Sequence, residues 1–408
     1  MKINKNRVQE LIEQYNQYSK ANEAGIYRLA LSEEDKNTRD LLKYDMQKLG
    51  LQVYVDPIGN MIGIQKDKLH APLIALGSHL DSVANGGKYD GVLGIVAALV
   101  ILEMLADQGF HSDKGLAIIN FTNEEGNRFA PDMMGSAVFA GVETLENIYP
   151  SPALDGTTLT LKEALDQIGY RGDFDTSVLD IKAFLELHIE QGPILEQAQI
   201  PIGIVEKVQG IYWTEYTFEG IANHAGTTPM KYRRNAGLGA AELILKAQEL
   251  SIQYQETQVI NVGKLEFVPN QPNIIPAIAK LIIDQRNPDA EILEEVQKEL
   301  DQIAQTIAKK YDLKLFTQDL VRFQPIDFSP QIVSVLEECT QGLGYPYLKM
   351  RSGAGHDAQL MAHRYPAAMV FVPSKDGISH NPAEHTDLDD MVKGIEVMLQ
   401  AVLKLCKD

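Results

Sequence analysis

The sequence predicts an α/β protein in which one discontinuous domain, residues 1–210 and 325–408, is interrupted by a smaller inserted domain over 211–324. Three observations carry this reading. Strand-length segments in the outer parts are continuously apolar rather than alternating, which marks strands covered on both faces. An almost wholly apolar helix lies between the first two of them, as a buried crossover helix of an α/β sheet would. The middle segment has the order strand, helix, strand, strand, helix, strand, the ferredoxin-like βαββαβ arrangement, complete in itself.

Taken in order, MKINKNRVQELIEQ reads as an amphipathic helix. Residues 73–80 form a short apolar strand, 91–107 the apolar helix, 114–122 a second strand and 182–189 a third. The pattern changes near Ile211. There 211–219 is a strand, 231–253 a helix, 258–267 and 277–285 two strands, 289–311 a charged amphipathic helix and 313–323 a last strand. After Pro325 the outer pattern resumes with a helix over 330–342, a strand over 367–373 and a closing helix over 387–405.

Length and composition bound the function. A chain of 408 residues suits two or three domains, and 45% apolar against 23% charged residues excludes a disordered chain. Thirty-seven Lys and Arg against 56 Asp and Glu leave a net charge of −19 with no basic stripe, so nucleic acid is not an expected partner. The two cysteines, Cys339 and Cys406, cannot build a disulfide framework or a cysteine-rich metal site, which fits a reducing, cytoplasmic compartment. The N-terminus lacks an apolar signal core and the longest uncharged apolar run, 91–102, is too short to span a bilayer, so no membrane partner is expected.

The polar motifs fall at strand ends, where open α/β sheets place their sites. Gly77-Ser78-His79-Leu80-Asp81, followed by Asn85-Gly86-Gly87-Lys88-Tyr89-Asp90-Gly91, sets a histidine and two carboxylates between a strand and the apolar helix. Imidazole and carboxylate suit Zn, Mn, Co or Ni, and a ligating histidine usually has a partner on its other nitrogen. His79 and Asp90 read as ligands and Asp81 as the group that orients His79. The next strand runs into Asn123-Glu124-Glu125-Gly126. Adjacent acids there project in different directions, so one can hold a metal while the other serves as general base. In the third strand Glu186, His188 and Glu190 alternate on one face, a costly arrangement unless they are paired or ligating, which makes His188 a third ligand candidate. Ser352-Gly353-Ala354-Gly355-His356-Asp357 and Gly377-Ile378-Ser379-His380-Asn381-Pro382-Ala383-Glu384-His385 complete the set, and spacing alone does not choose between His380 and His385. Signatures of other chemistries, G-x-S-x-G, a Walker A loop, G-x-G-x-x-G after a strand and H-E-x-x-H, do not occur.

Together GSHLDSVANGGKYDG, NEEGNRF, MMGSAVFAG, ELHIEQGP, NHAGTTPM, SGAGHDAQ and GISHNPAEH resemble the hydantoinase/carbamoylase family of dinuclear metal amidohydrolases, along essentially the whole chain. The resemblance implies a metallopeptidase-like catalytic domain with an inserted lid and dimerisation domain. It also implies a homodimer and two divalent metal ions per subunit. His79 and His188 would hold one ion, Glu125 and His380 the other, and Asp90 would bridge them. Glu124 would be the general base and acid, with Asp81 behind His79. His224 of the inserted domain would stabilise the oxyanion, Asn273 and Arg286 would bind the carboxylate of a small anionic substrate, and Gln191 and His356 would also contact substrate. The implied reaction is hydrolysis of the carbamoyl carbon–nitrogen bond of an N-carbamoyl-L-amino acid, with allantoate amidohydrolase and β-ureidopropionase as variants. An aminoacylase-like metallopeptidase is the neighbouring alternative, and a non-catalytic small-molecule or metal-binding protein is the alternative of another class. A binding protein has no need of Glu124.

Overall fold

The computed structural model describes residues 2–21, 23–254 and 257–407. The chain divides into two compact units, Met1–Glu206 with Asp327–Asp408, and Lys207–Ile326. In chain order the strands are β1 (Leu51–Val55), β2 (Met61–Gln65), β3 (Pro72–His79), β4 (Gly115–Phe121), β5 (Asp180–Ile189), β6 (Ile202–Val208), β7 (Gly210–Glu219), β8 (Val259–Val268), β9 (Ile278–Asn287), β10 (Lys314–Phe323), β11 (Ile326–Asp327), β12 (Tyr347–Ser352) and β13 (Ala367–Val372).

The larger sheet has the order β1-β2-β4-β3-β5-β13-β6-β11, with β12 on β6. Its centre is parallel: β3 pairs with β4 and β5, and β5 with β13. β4 and β13 are buried at every position, as strands covered on both faces must be. Parallel pairing brings the carboxyl ends of β3, β4 and β5 to one edge, with His79 opposite Phe121. Helix Val92–Asp107 packs on β3 so tightly that a Cβ on Gly94 would lie 2.6 Å from the Ser78 Cβ, so only glycine fits.

The sequence reading passes over β1, β2, β6, β11 and β12, which are short or mixed in burial; β1, β2 and β6 pair antiparallel with a neighbour, and β12 pairs with β6. It also starts one helix early. The expected helix over 231–253 begins at Ala236, because the Asn235 side chain caps it by accepting the Gly237 N–H, and the preceding Met230–Tyr232 is a separate 3₁₀ turn.

The second unit is an antiparallel sheet of order β10-β7-β9-β8. Helices Ala236–Gln253 and Ala290–Lys310 supply the apolar side chains that pack with Tyr216, Phe218, Leu281 and Ile283. Leu293, Val296, Leu300, Ala304 and Ile307 recur at helical spacing on the buried stripe of Ala290–Lys310. Burying each large aliphatic contributes about 1.5–3 kcal/mol. Among the described residues no helix is long and apolar enough to cross a membrane.

Candidate metal centre

Four segments of the first unit converge at the carboxyl edge of the parallel strands. His79 ends β3, Asp90 precedes helix Val92–Asp107, the Glu124-Glu125 turn follows β4 and His188 is near the end of β5. His380 comes from the loop after β13. Asp90 is the shared member, and its two oxygens face different partners. Oδ1 lies 3.1 Å from His188 Nε2 and 3.4 Å from His79 Nε2, while Oδ2 lies 3.3 Å from His380 Nε2. His380 Nε2 is also 3.3 Å from Glu125 Oε2. Among the described residues His79, Asp90 and His188 form one group able to hold a metal ion, Asp90, Glu125 and His380 a second, and Glu186, His188 and His356 a third.

The rings are set by backbone. Nδ1 of His79 faces the Asp81 carbonyl and Nδ1 of His188 the Ile189 carbonyl, each at 3.0 Å. A carbonyl only accepts, so each Nδ1 carries the hydrogen in the neutral ring and Nε2 presents its lone pair to the centre. The Gly91 N–H pointing at His188 Nε2 from 3.3 Å agrees with this tautomer. Gly91 has φ +66°, and a Cβ there would stand 2.5 Å from the His79 ring.

Electrostatics fit a cationic occupant. Asp81, Asp90 and Glu124 are each under 9% exposed. Burial, with the charge of Asp90, pushes Glu125 up to about 8. Burial also raises Glu124 well above the carboxylate range, helped by Asp357, Glu125 and Asp90. Asp90 goes the other way, because His188, His380 and His79 outweigh its burial and hold it well below the usual range. The Asp90 hydrogen bond raises His380 to about 9. So many buried carboxylates repel one another unless cations lie among them. The donor set of imidazole and carboxylate, divided by Asp90 into two groups, suits divalent metal ions.

The structure places the other expected residues as follows. The Asp81 carboxylate does not hold the His79 ring; its Oδ1 and Oδ2 accept the Glu124 and Glu125 N–H groups, each at 3.2 Å. His380 is in the cluster, whereas His385 Nε2 faces Asp387 at 3.1 Å. Gln191 turns its amide onto Asp90, Nε2 donating to Oδ2 at 2.9 Å. His356 is 2.8 Å from Ser352 Oγ, with its ring centroid 4.6 Å from that of His188, and lies outside both Asp90 groups. In the second unit His224 is exposed and bridges Ile274, next to Asn273, whose carbonyl accepts the Ala225 N–H. Arg286, on β9, spends its Nε and Nη2 on Asp284, Nη2 at 2.8 Å, so the fork expected to take a substrate carboxylate holds one from its own strand.

Two residues at the centre lie in a motif noted in the sequence but carry no assigned role there. Glu384, 4% exposed, accepts the Tyr89 and Asp90 N–H groups at 2.9 and 3.2 Å and lies so close to Gly87 that any Cβ there would overlap it. Ser379 Oγ lies 3.2 Å from Asp90 Oδ2 and 2.9 Å from Glu384 Oε2. The one available signal was their place in the same short loop as His380.

Residues 75–404 match the model of peptidase family M20/M25/M40. The chain is 36% identical over 391 residues to an N-carbamoyl-L-amino acid amidohydrolase of Geobacillus stearothermophilus, covering 94% of each. It is 33% identical over 408 residues to an allantoate amidohydrolase of Bacillus subtilis, covering 98% of each. A crystal structure of a hydantoinase/carbamoylase family amidase from Burkholderia multivorans superposes with a TM-score of 0.92 at 36% identity, over 100% of this chain and 99% of that one. On sequence, fold and the shared length of these relatives, the chain belongs to the M20/M25/M40 peptidase family and is a hydantoinase/carbamoylase family amidohydrolase.

Proposed function

We propose that this chain hydrolyses the carbamoyl carbon–nitrogen bond of an N-carbamoyl-L-amino acid or a closely related ureido acid. The observation that carries this is the division of the Asp90 carboxylate between two histidine groups, in a chain that matches relatives named for that reaction almost end to end. His79, His188 and Asp90 would hold one divalent ion, and Glu125, His380 and Asp90 a second, with Zn, Mn, Co and Ni all suited to the donors. When bound, such ions supply the positive charge that acidifies water and polarises a carbonyl oxygen.

The chain's own groups supply the proton transfers. Glu124, 8% exposed, takes a proton from the attacking water as its oxygen bonds to the carbamoyl carbon. The same carboxyl returns that proton to the amino-acid nitrogen as the carbon–nitrogen bond breaks. The amino acid leaves, and the carbamate left behind decomposes to ammonia and carbon dioxide. To the second unit, as lid and dimerisation domain, we assign oxyanion stabilisation by His224 and carboxylate binding by Asn273 and Arg286. Gln191 and His356 we assign to substrate contact.

A homodimer belongs to this reading, and size-exclusion chromatography with light scattering on the purified protein tests it. A cytoplasmic location also belongs to it, supported by two cysteines that form no disulfide. The test of function is ammonia release from a panel of N-carbamoyl-L-amino acids, N-carbamoyl-β-alanine and allantoate, with each metal supplied. Preference for an N-carbamoyl-L-amino acid supports the reading. Preference for allantoate or N-carbamoyl-β-alanine reassigns the substrate, and release of free amino acid from an N-acetyl amino acid or dipeptide assayed beside the panel, with no ammonia from the panel, favours the aminoacylase-like alternative.

A further inference from the structure

Arg28 and Arg39 are among the largest fully buried side chains of the protein, 1% and 0% exposed. An arginine stays charged inside a protein, so each must be surrounded by carbonyls and carboxylates or the fold loses more than it gains. Arg28 donates from Nε to the Leu80 carbonyl at 2.5 Å and from Nη1 to the carbonyls of Tyr15 and Tyr18 at 3.0 and 3.1 Å. Its own N–H meets Ser82 Oγ at 3.0 Å, and the carboxylates acting on its charge are those of Asp35 and Asp81. Arg39 donates from Nε to Asp35 Oδ2 at 2.8 Å, from Nη1 to the Gly59 carbonyl at 2.7 Å and from Nη2 to Thr122 Oγ1 at 3.3 Å. Asp35 Oδ2 also accepts the Leu31 N–H at 2.7 Å.

These links close a ring. The Arg28 side chain grips the Leu80 carbonyl, directly after His79, and the Arg28 backbone N–H meets Ser82 Oγ. Asp81, between them, accepts the Glu124 and Glu125 N–H groups. Thr122, two residues before Glu124, is gripped by Arg39, and Arg39 returns through Asp35 and Leu31 to the segment that carries Arg28. Side chains serving stability alone could attach anywhere along β3 and β4; both of these attach where the strands end and the metal-centre turns begin. We propose that Arg28 and Arg39 are positioning residues, which hold the His79 turn and the Glu124-Glu125 turn in register and so set the affinity of the centre for divalent ions. The proposal rests on the reading of those turns as a metal centre.

The experiment measures zinc affinity of the full chain by competition with a chromophoric chelator, at a temperature where each variant is folded by circular dichroism. Its variants are Arg28→Met, Arg28→Lys, Arg39→Met and, as a stability control, Leu336→Ala, which truncates a wholly buried side chain on helix Pro330–Gly342. The arginine variants should bind zinc about 10–100-fold more weakly, the range seen when groups behind metal ligands are removed. Arg28→Lys should recover little, because an ammonium cannot reach three carbonyls as the planar fork does. Leu336→Ala should keep wild-type affinity at an equal loss of thermal midpoint. Wild-type affinity in the arginine variants, or an equal loss in Leu336→Ala, overturns the proposal; if a Met variant does not fold, Arg28→Lys decides alone. Because this readout uses no substrate, wild-type protein that binds zinc but releases no ammonia contradicts the proposed reaction and not the ring.

Discussion

The two oxygens of Asp81 accept the backbone N–H groups of Glu124 and Glu125, each at 3.2 Å, so one carboxylate orients both acids of the turn. Asp81→Asn keeps the shape but turns an NH₂ toward one of those N–H groups, leaving a buried donor unsatisfied at a cost of about 1–3 kcal/mol. We expect zinc affinity and turnover to fall together by roughly 10–100-fold. Chelator competition and ammonia release on the same samples check this, and loss of turnover with unchanged affinity would place Asp81 in the chemistry instead.

Asp90 faces both groups of candidate ligands. Asp90→Ala should therefore cost the protein both ions rather than one. Elemental analysis after dialysis against a fixed zinc concentration is the check, and two ions still bound per chain would refute the bridging role.

Arg286 is already paired with Asp284. If Arg286 takes the substrate carboxylate, Asp284 competes for the same fork. Asp284→Asn should lower KM for an anionic substrate several-fold with little change in kcat, and Arg286→Lys should raise KM, because an ammonium lacks the paired donors. An unchanged KM in both variants would remove Arg286 from substrate binding.

Away from the centre, Asp56 is raised from 3.8 to about 7 by burial, against the Asn60 N–H and amide donors that favour its charged form. A carboxyl raised in the folded state binds more protons folded than unfolded across that window. Stability from this group is thus present at low pH and lost as pH rises through about 7. The thermal midpoint of wild type, relative to Asp56→Asn, should fall between about pH 4 and about pH 7 and level off above that. A difference independent of pH would show that Asp56 ionises normally.

Long apolar runs made part of this fold readable from sequence. The strand expected over 114–122 is observed as Gly115–Phe121, because a strand covered on both faces has little polar content to blur its ends. β1 and β12 are half exposed, and their mixed composition carries no such signal. In the centre, His79 and His380 stood out in glycine-containing polar segments, and His188 by alternating with Glu186 and Glu190 on one face of an apolar strand. Glu384 did not, since a glutamate after a proline turn looks like a solvated surface residue until its closeness to Gly87 is seen. Gln191 drew attention by its motif, but its contact with Asp90 depends on a left-handed backbone, φ 58°, that no spacing rule predicts.

Glu124 is the group proposed to move the proton in metal-dependent hydrolysis of a carbamoyl bond. Its most direct test is ammonia release from an N-carbamoyl-L-amino acid by zinc-loaded wild type and Glu124→Gln, with zinc content measured on the same samples. Wild type should turn over and lose turnover on chelation, and Glu124→Gln should be slower by about 10²–10⁴-fold at unchanged zinc content. Comparable rates in the two proteins at equal zinc content would contradict it.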